Sequence, residues 1–191
     1  MAEQKTNYFI HESSYIDDNV KIGSGTKVWH FCHILSGTKI GKNCSFGQNV
    51  MAGPDVIIGD GCKIQNNVSL YKGVILEDGV FCGPSMVFTN VMTPRSEVNR
   101  QNEYSQTLVR KGVTIGANAT IVCGHELGEY SFVAAGAVIT KNVIPHALMA
   151  GVPAKQIGWV AHSGEILGED LTCPRTGDSY EVVSNGLQRK P

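Results

Sequence analysis

Six histidines, His11, His30, His33, His125, His146 and His162, are the obvious candidates for chemistry in this 191-residue chain. An imidazole can move a proton near neutral pH or bind a metal ion. Six cysteines add the possibility of thiolate or metal chemistry. A polar stretch, TPRSEVNRQNEYSQT, occupies residues 93–107, with Asn90 just ahead of it and Arg95 inside it. An asparagine carbonyl can hold an N–H in place, and an arginine fork pairs bidentately with a carboxylate. Which of these groups can meet depends on the elements that carry them, and the surrounding sequence is strongly periodic.

From Tyr15 the chain divides into sixes: YIDDNV, KIGSGT, KVWHFC, HILSGT, KIGKNC, SFGQNV and onward to VFTNVM at residues 87–92. The beat resumes at Leu108 with LVRKGV, TIGANA, TIVCGH, ELGEYS, FVAAGA and VITKNV. The second column is almost wholly aliphatic, Pro145 being the plain exception, so it forms the core. The fifth column holds Gly, Asn or Asp in fifteen of twenty units, types that tolerate positive φ. Short strands bent at a fixed interval give a solenoid, and a helix would not survive such residues every six positions. Cys32, Cys44 and Cys62 fall in the inward sixth column and Cys82 in the second. Small buried hydrophobes explain that placement, whereas disulfide or metal roles would ignore the register. The interruption of fifteen residues is not a multiple of six. It must leave the coil and return, and loops of that length inside a compact domain are usually functional or disordered; its polar content beside unusual flanking residues favours function.

A net charge of −1 without a basic cluster speaks against a nucleic-acid partner. The start, MAEQKTNYFI, lacks the pattern of a signal peptide, and the sequence has no apolar run of membrane-spanning length, so a cytoplasmic location is expected.

The recurring [IVL]-G-x-x-[small]-x pattern resembles the hexapeptide-repeat acyltransferases, over residues 8 to about 160. That resemblance implies an all-β fold, a left-handed parallel β-helix of about seven coils with three hexads per turn. It also implies a homotrimer with active sites between subunits, the loop of one subunit reaching over its neighbour. The expected layout is a lead-in at 1–14, the coil at 15–158 with its active-site loop at 93–107, and a β appendage at 159–191. The segment GVPAKQIG resembles the end of the coil in acetyl-CoA-dependent members. It implies a coenzyme lying beside Ala117, Ala135 and Pro153, with Lys111, Lys141 and Lys155 near its phosphates. VWHFCHI, CKIQNNVS, FCGPSMVFTNV, TLVRKG and GANATIVCG resemble bacterial nucleotide-sugar N-acetyltransferases. The implied reaction moves acetyl from acetyl-CoA to the 3-amine of UDP-2-acetamido-3-amino-2,3-dideoxyglucuronate, in surface-polysaccharide (O-antigen) synthesis. Two departures stand out: His125 replaces a usually small or apolar residue, and the C-terminal tail is longer.

With three hexads per turn, residues eighteen apart stack about 4.8 Å from one another. Asn90 then lies above Lys72 where the loop departs, at the fifth coil. His30 and His33 belong to lower coils, about 14 Å away for a group at the second. His125 is expected in the core, and His146 lies beyond the thioester. No histidine base is therefore expected. Asn90 orients the amine, a backbone N–H faces the thioester oxygen, and the departing thiolate takes the proton, its thiol pKa being about 8.5. A nucleotide reaching down from the fifth coil would meet His33 and the nearby Trp29, with Gln48, Gln65, Asn66, Tyr71 and Lys72 along its diphosphate and sugar, and Arg95 on a sugar carboxylate. In the tail, AHSG and CPRTG read as two turns of a small ribbon with too few ligands for zinc, followed by a frayed end. The alternatives are a γ-class carbonic anhydrase, which needs converging histidines for a metal, and a non-catalytic scaffold, which needs neither the loop nor GVPAK.

Overall fold

The computed structural model describes residues 7–191. Two-residue strands begin at Phe9, Tyr15 and Lys21 and recur every six residues as far as Val87–Phe88, with one three-residue strand at Val74–Leu76. Every third strand joins the same sheet, so the chain winds around three faces. The first face runs from Phe9–Ile10 to Ala147–Ala150, the second from Tyr15–Ile16 to Val138–Ile139, and the third from Lys21–Ile22 to Glu126–Leu127. Neighbouring strands are parallel, and partners are eighteen residues apart, as in His33↔Met51 and Lys63↔Phe81. Across the insertion the interval becomes 33 residues (114 − 81), the eighteen of one rung plus the fifteen inserted: Phe81↔Thr114 and Val87↔Thr120.

The second column fills the prism. Val28, Ile34, Phe46, Ile64, Leu70 and Ile115 are fully buried, each contributing about 1.5–3 kcal/mol from removal of apolar surface. Cys32, Cys44, Cys62 and Cys82 are buried with them as free thiols, and burial pushes Cys82 up to about 12. Backbone φ is positive at every fifth-column corner from Asn19 to Ser85 and again from Gly112 to Gly136, including Phe31, Ser85 and Tyr130. Glycine in the third column answers a different need. A Cβ on Gly41 would lie 2.6 Å from the Gly59 backbone of the next rung, so these edges close only over a bare backbone.

Four expectations need correction. The coil starts before residue 15, because Phe9–Ile10 already pairs with Lys27–Val28; residues 1–6 of the expected lead-in lie outside the described residues. Thr107 belongs to a strand rather than to the loop, pairing with Val74. His125 is half-buried rather than packed in the core, while Cys123, two residues before it, is buried. The tail does not fray: Tyr180–Val183 and Gly186–Arg189 form an antiparallel hairpin over a small core of Ala161, Leu167, Cys173, Tyr180 and Leu187.

The two ribbon turns do face one another, with Ser163 Oγ 3.2 Å from Cys173 Sγ, and this contact brings the Cys173 thiol down to about 7. The appendage is seamed to the coil by rings. His162 lies against Tyr130 at 3.9 Å and against His146 at 5.0 Å between centroids. His146 Nδ1 donates to the Val160 carbonyl at 2.8 Å, and burial lowers its pKa.

Candidate active site

A triangular coil has three edges, and each corner residue belongs to one of them. Gln48, Gln65, Asn66, Ala117, Ala135 and Pro153 follow strands of the first face and line the edge between the first and second faces. Tyr71, Lys72, Asn90, Lys141 and the loop carrying Arg95 line the edge between the second and third. His33 lies on the second face, between these edges. Lys111 stands on the remaining edge, where its backbone N–H donates to Glu77 Oε2 at 2.9 Å. Ala117 and Ala135 line a different edge of the same chain. Lys155 is exposed on a strand that runs antiparallel to Ala147–Ala150.

The loop leaves the second–third edge and returns to it. The Ser105 N–H donates to the Asn90 carbonyl at 2.9 Å, which closes its neck. The Cys123 N–H donates to Thr89 Oγ1 at 2.9 Å and the Gly124 N–H to the Gln106 carbonyl at 3.1 Å, so both roots are held by the rung above. Within the loop Arg100 pairs with Glu103 at 2.6 Å. The loop folds around an open cleft of about 540 Å³ lined by Asn90, Val91, Arg95, Arg100 and Tyr104 among others, all from residues 90–104. Asn90 and Arg95 both line it, and the Asn90 side chain makes no hydrogen bond among the described residues.

The other candidates are more committed to the fold. Lys72 Nζ donates to Asp55 Oδ2 at 2.9 Å one rung below. His33 Nε2 bonds Asp17 Oδ1 at 2.8 Å, and this holds the Asp17 carboxyl below its usual range. The Asn66 side-chain carbonyl accepts the Gln48 N–H at 2.9 Å, a ladder contact between rungs. Tyr71 closes a small hollow on the second face with Ser69 and Val87.

His125 is the residue that sequence reasoning set aside. It follows Gly124 on the second–third edge, one rung above the loop's departure. Among the described residues no three His, Cys, Asp or Glu side chains gather as metal ligands, which leaves the anhydrase alternative without a ligand set in one chain.

Stacked six-residue turns and a loop-formed cleft at their edge define a transferase built on hexapeptides. "Bacterial transferase hexapeptide (six repeats)" matches residues 19–54 and 37–72, and "Hexapeptide repeat of succinyl-transferase" matches 111–141. The dTDP-3-amino-3,6-dideoxy-alpha-D-galactopyranose 3-N-acetyltransferase of Aneurinibacillus thermoaerophilus is 39% identical over 160 residues, covering 84% of this chain and 82% of the relative. The chain belongs to the hexapeptide-repeat acetyltransferases, and its fold is their left-handed parallel β-helix. The bifunctional protein GlmU of Thermoanaerobacter pseudethanolicus is 27% identical, but the chain spans only 42% of its length. The polySia-specific acetyltransferase NeuO superposes with a TM-score of 0.54 at 17% identity, over 79% of this chain and 82% of that one, a likeness of fold.

Proposed function

We propose that the chain transfers acetyl from acetyl-CoA to the 3-amine of a nucleotide-linked amino sugar, with UDP-2-acetamido-3-amino-2,3-dideoxyglucuronate as acceptor, in cytoplasmic synthesis of a surface polysaccharide. The observation that carries the reading is the cleft formed by the inserted loop at Asn90, in a chain 39% identical to an enzyme named for the same 3-amine chemistry. The catalytic unit is a homotrimer in which the second–third edge of one subunit faces the first–second edge of the next. That arrangement would unite the two groups of candidates that lie on separate edges of one chain.

In this reading the coenzyme descends the first–second edge past Pro153, Ala135 and Ala117, with Lys155 and Lys141 at its phosphates. The amine attacks the thioester carbon, a C–N bond forms, and the C–S bond breaks. The Asn90 side-chain carbonyl accepts one amine N–H and aims the lone pair, while a backbone N–H meets the oxyanion. The thiolate leaves and takes the amine proton, so no imidazole is required. Lys72, Tyr71, Gln48, Gln65, Asn66 and His33 bind the nucleotide sugar, and Arg95 clamps a C6 carboxylate.

Thiol release from acetyl-CoA, measured against UDP- and dTDP-linked 3-amino sugars with and without that carboxylate, tests the substrate. The expected result is turnover of the UDP-uronate, with Arg95→Met raising KM for that acceptor alone. Asn90→Ala is expected to lower kcat about a hundredfold or more, whereas His125→Ala leaves most of it. The reverse order would replace the thiolate with a histidine base.

A further inference from the structure

Eight rings crowd the first two rungs: Tyr8, Phe9, His11, Tyr15, Trp29, His30, Phe31 and His33. Five of them form a connected ladder where the first face turns into the second. Phe9 meets Trp29 at 5.4 Å, His11 meets His30 at 3.6 Å, and the Trp29 and His30 planes lie within 7° of each other. His30 in turn touches Phe31 at 6.1 Å. Trp29 is 41% exposed and Phe31 61%. These rings do not plug the end of the coil; Ile10, Ile16, Val20 and Ile22 pack there instead.

The ladder is also held in one arrangement. The Phe31 N–H donates to Ser13 Oγ at 3.0 Å, and the Ser13 N–H donates to His11 Nδ1 at 3.2 Å. With Ser13 Oγ also 2.9 Å from that nitrogen, Nδ1 serves as an acceptor. In the neutral ring the proton then sits on Nε2, leaving an N–H donor without a partner among the described residues. Flat, exposed, pre-set rings beside a spare donor suit a planar heterocycle with carbonyl edges.

Position narrows the occupant further. The same edge carries Gln48 on the third rung and Gln65 and Asn66 on the fourth, with Ala117 and Ala135 on the sixth and seventh. Three rungs, about 14 Å, separate the ladder from the height of Asn90, a span that suits a diphosphate and one sugar.

We infer that the ladder of Trp29, His30 and His11 seats the nucleobase of the nucleotide sugar by its π face. This deepens the proposed function and rests on it. In the trimer the base sits on one subunit while its sugar amine meets Asn90 of the next. His33, tied to Asp17, borders this seat rather than forming it.

Calorimetric titration of the full chain with UDP, without sugar or coenzyme, tests the seat. Trp29→Ala should weaken UDP binding roughly 5- to 100-fold, the range for loss of one aromatic–base stack, and Trp29→Phe should restore most of it. In case Trp29→Ala fails to fold, the Trp159→Phe chain reports through Trp29 alone, and its emission should fall on addition of UDP. Equal UDP affinity in wild type and Trp29→Ala, or unchanged Trp29 emission at saturating UDP, would overturn the seat while leaving acetyl transfer intact. A wild-type chain that binds none of UDP, dTDP or GDP would overturn both the seat and the nucleotide-sugar reading.

Discussion

The rungs below the loop and the rungs around it are built from the same hexads but held differently. From Phe9 to Leu70 each strand meets the one eighteen residues on, and side-chain bonds such as Lys72 to Asp55 reach a single neighbouring rung. At the loop the interval jumps to 33 residues, and one side chain spans three rungs. Arg110 pairs with Glu77 at 3.0 Å and Glu126 at 2.7 Å, bridging the rungs on either side, while Thr89 Oγ1 takes the Cys123 N–H. Both carboxylates raise the Arg110 pKa, led by Glu126. A solenoid whose rungs touch only their neighbours tolerates such an excursion, because no distant contact depends on it. The regular part supplies height, and the irregular part supplies chemistry.

Replacing residues 91–104 by Gly-Gly would break the comparison most sharply. Acetyl transfer should fall below detection, while the β-sheet circular dichroism persists and Tm moves by only a few degrees. Loss of the fold would mean that the loop is structural. Phe46→Ala and Phe88→Ala probe the two regions in parallel, since both rings are buried. Each should cost about 3–5 kcal/mol in denaturant unfolding. Only Phe88→Ala should also lower kcat at a temperature where both variants remain folded, because its strand carries Asn90. Arg110→Met has the smallest expected effect: a fall in Tm of no more than about 2 °C, greatest at low salt because the pairs are partly exposed.

The height of each residue was legible in the sequence once the family resemblance supplied three hexads per turn to the repeat of six. The edge was equally legible and is what separates Lys111 from Ala117: six residues along the coil carry a corner to the next edge. Reasoning from height alone misses that step. The hairpin at the C-terminus had a signal in Asn185–Gly186 between alternating apolar residues. The exposure of His125 had none. The assembly of the two edges lies outside any single chain.

The strand Lys155–Trp159 carries one more consequence. It runs against the direction of every rung beneath it, with a register shift between Leu148 and Met149 and an exposed lysine at its start. A second molecule arriving end-on would need three parallel templates in phase, and this end offers the first of its faces reversed. Open-ended growth into a fibre, the standing hazard of any stack of identical strands, is thereby discouraged by one change of chain direction.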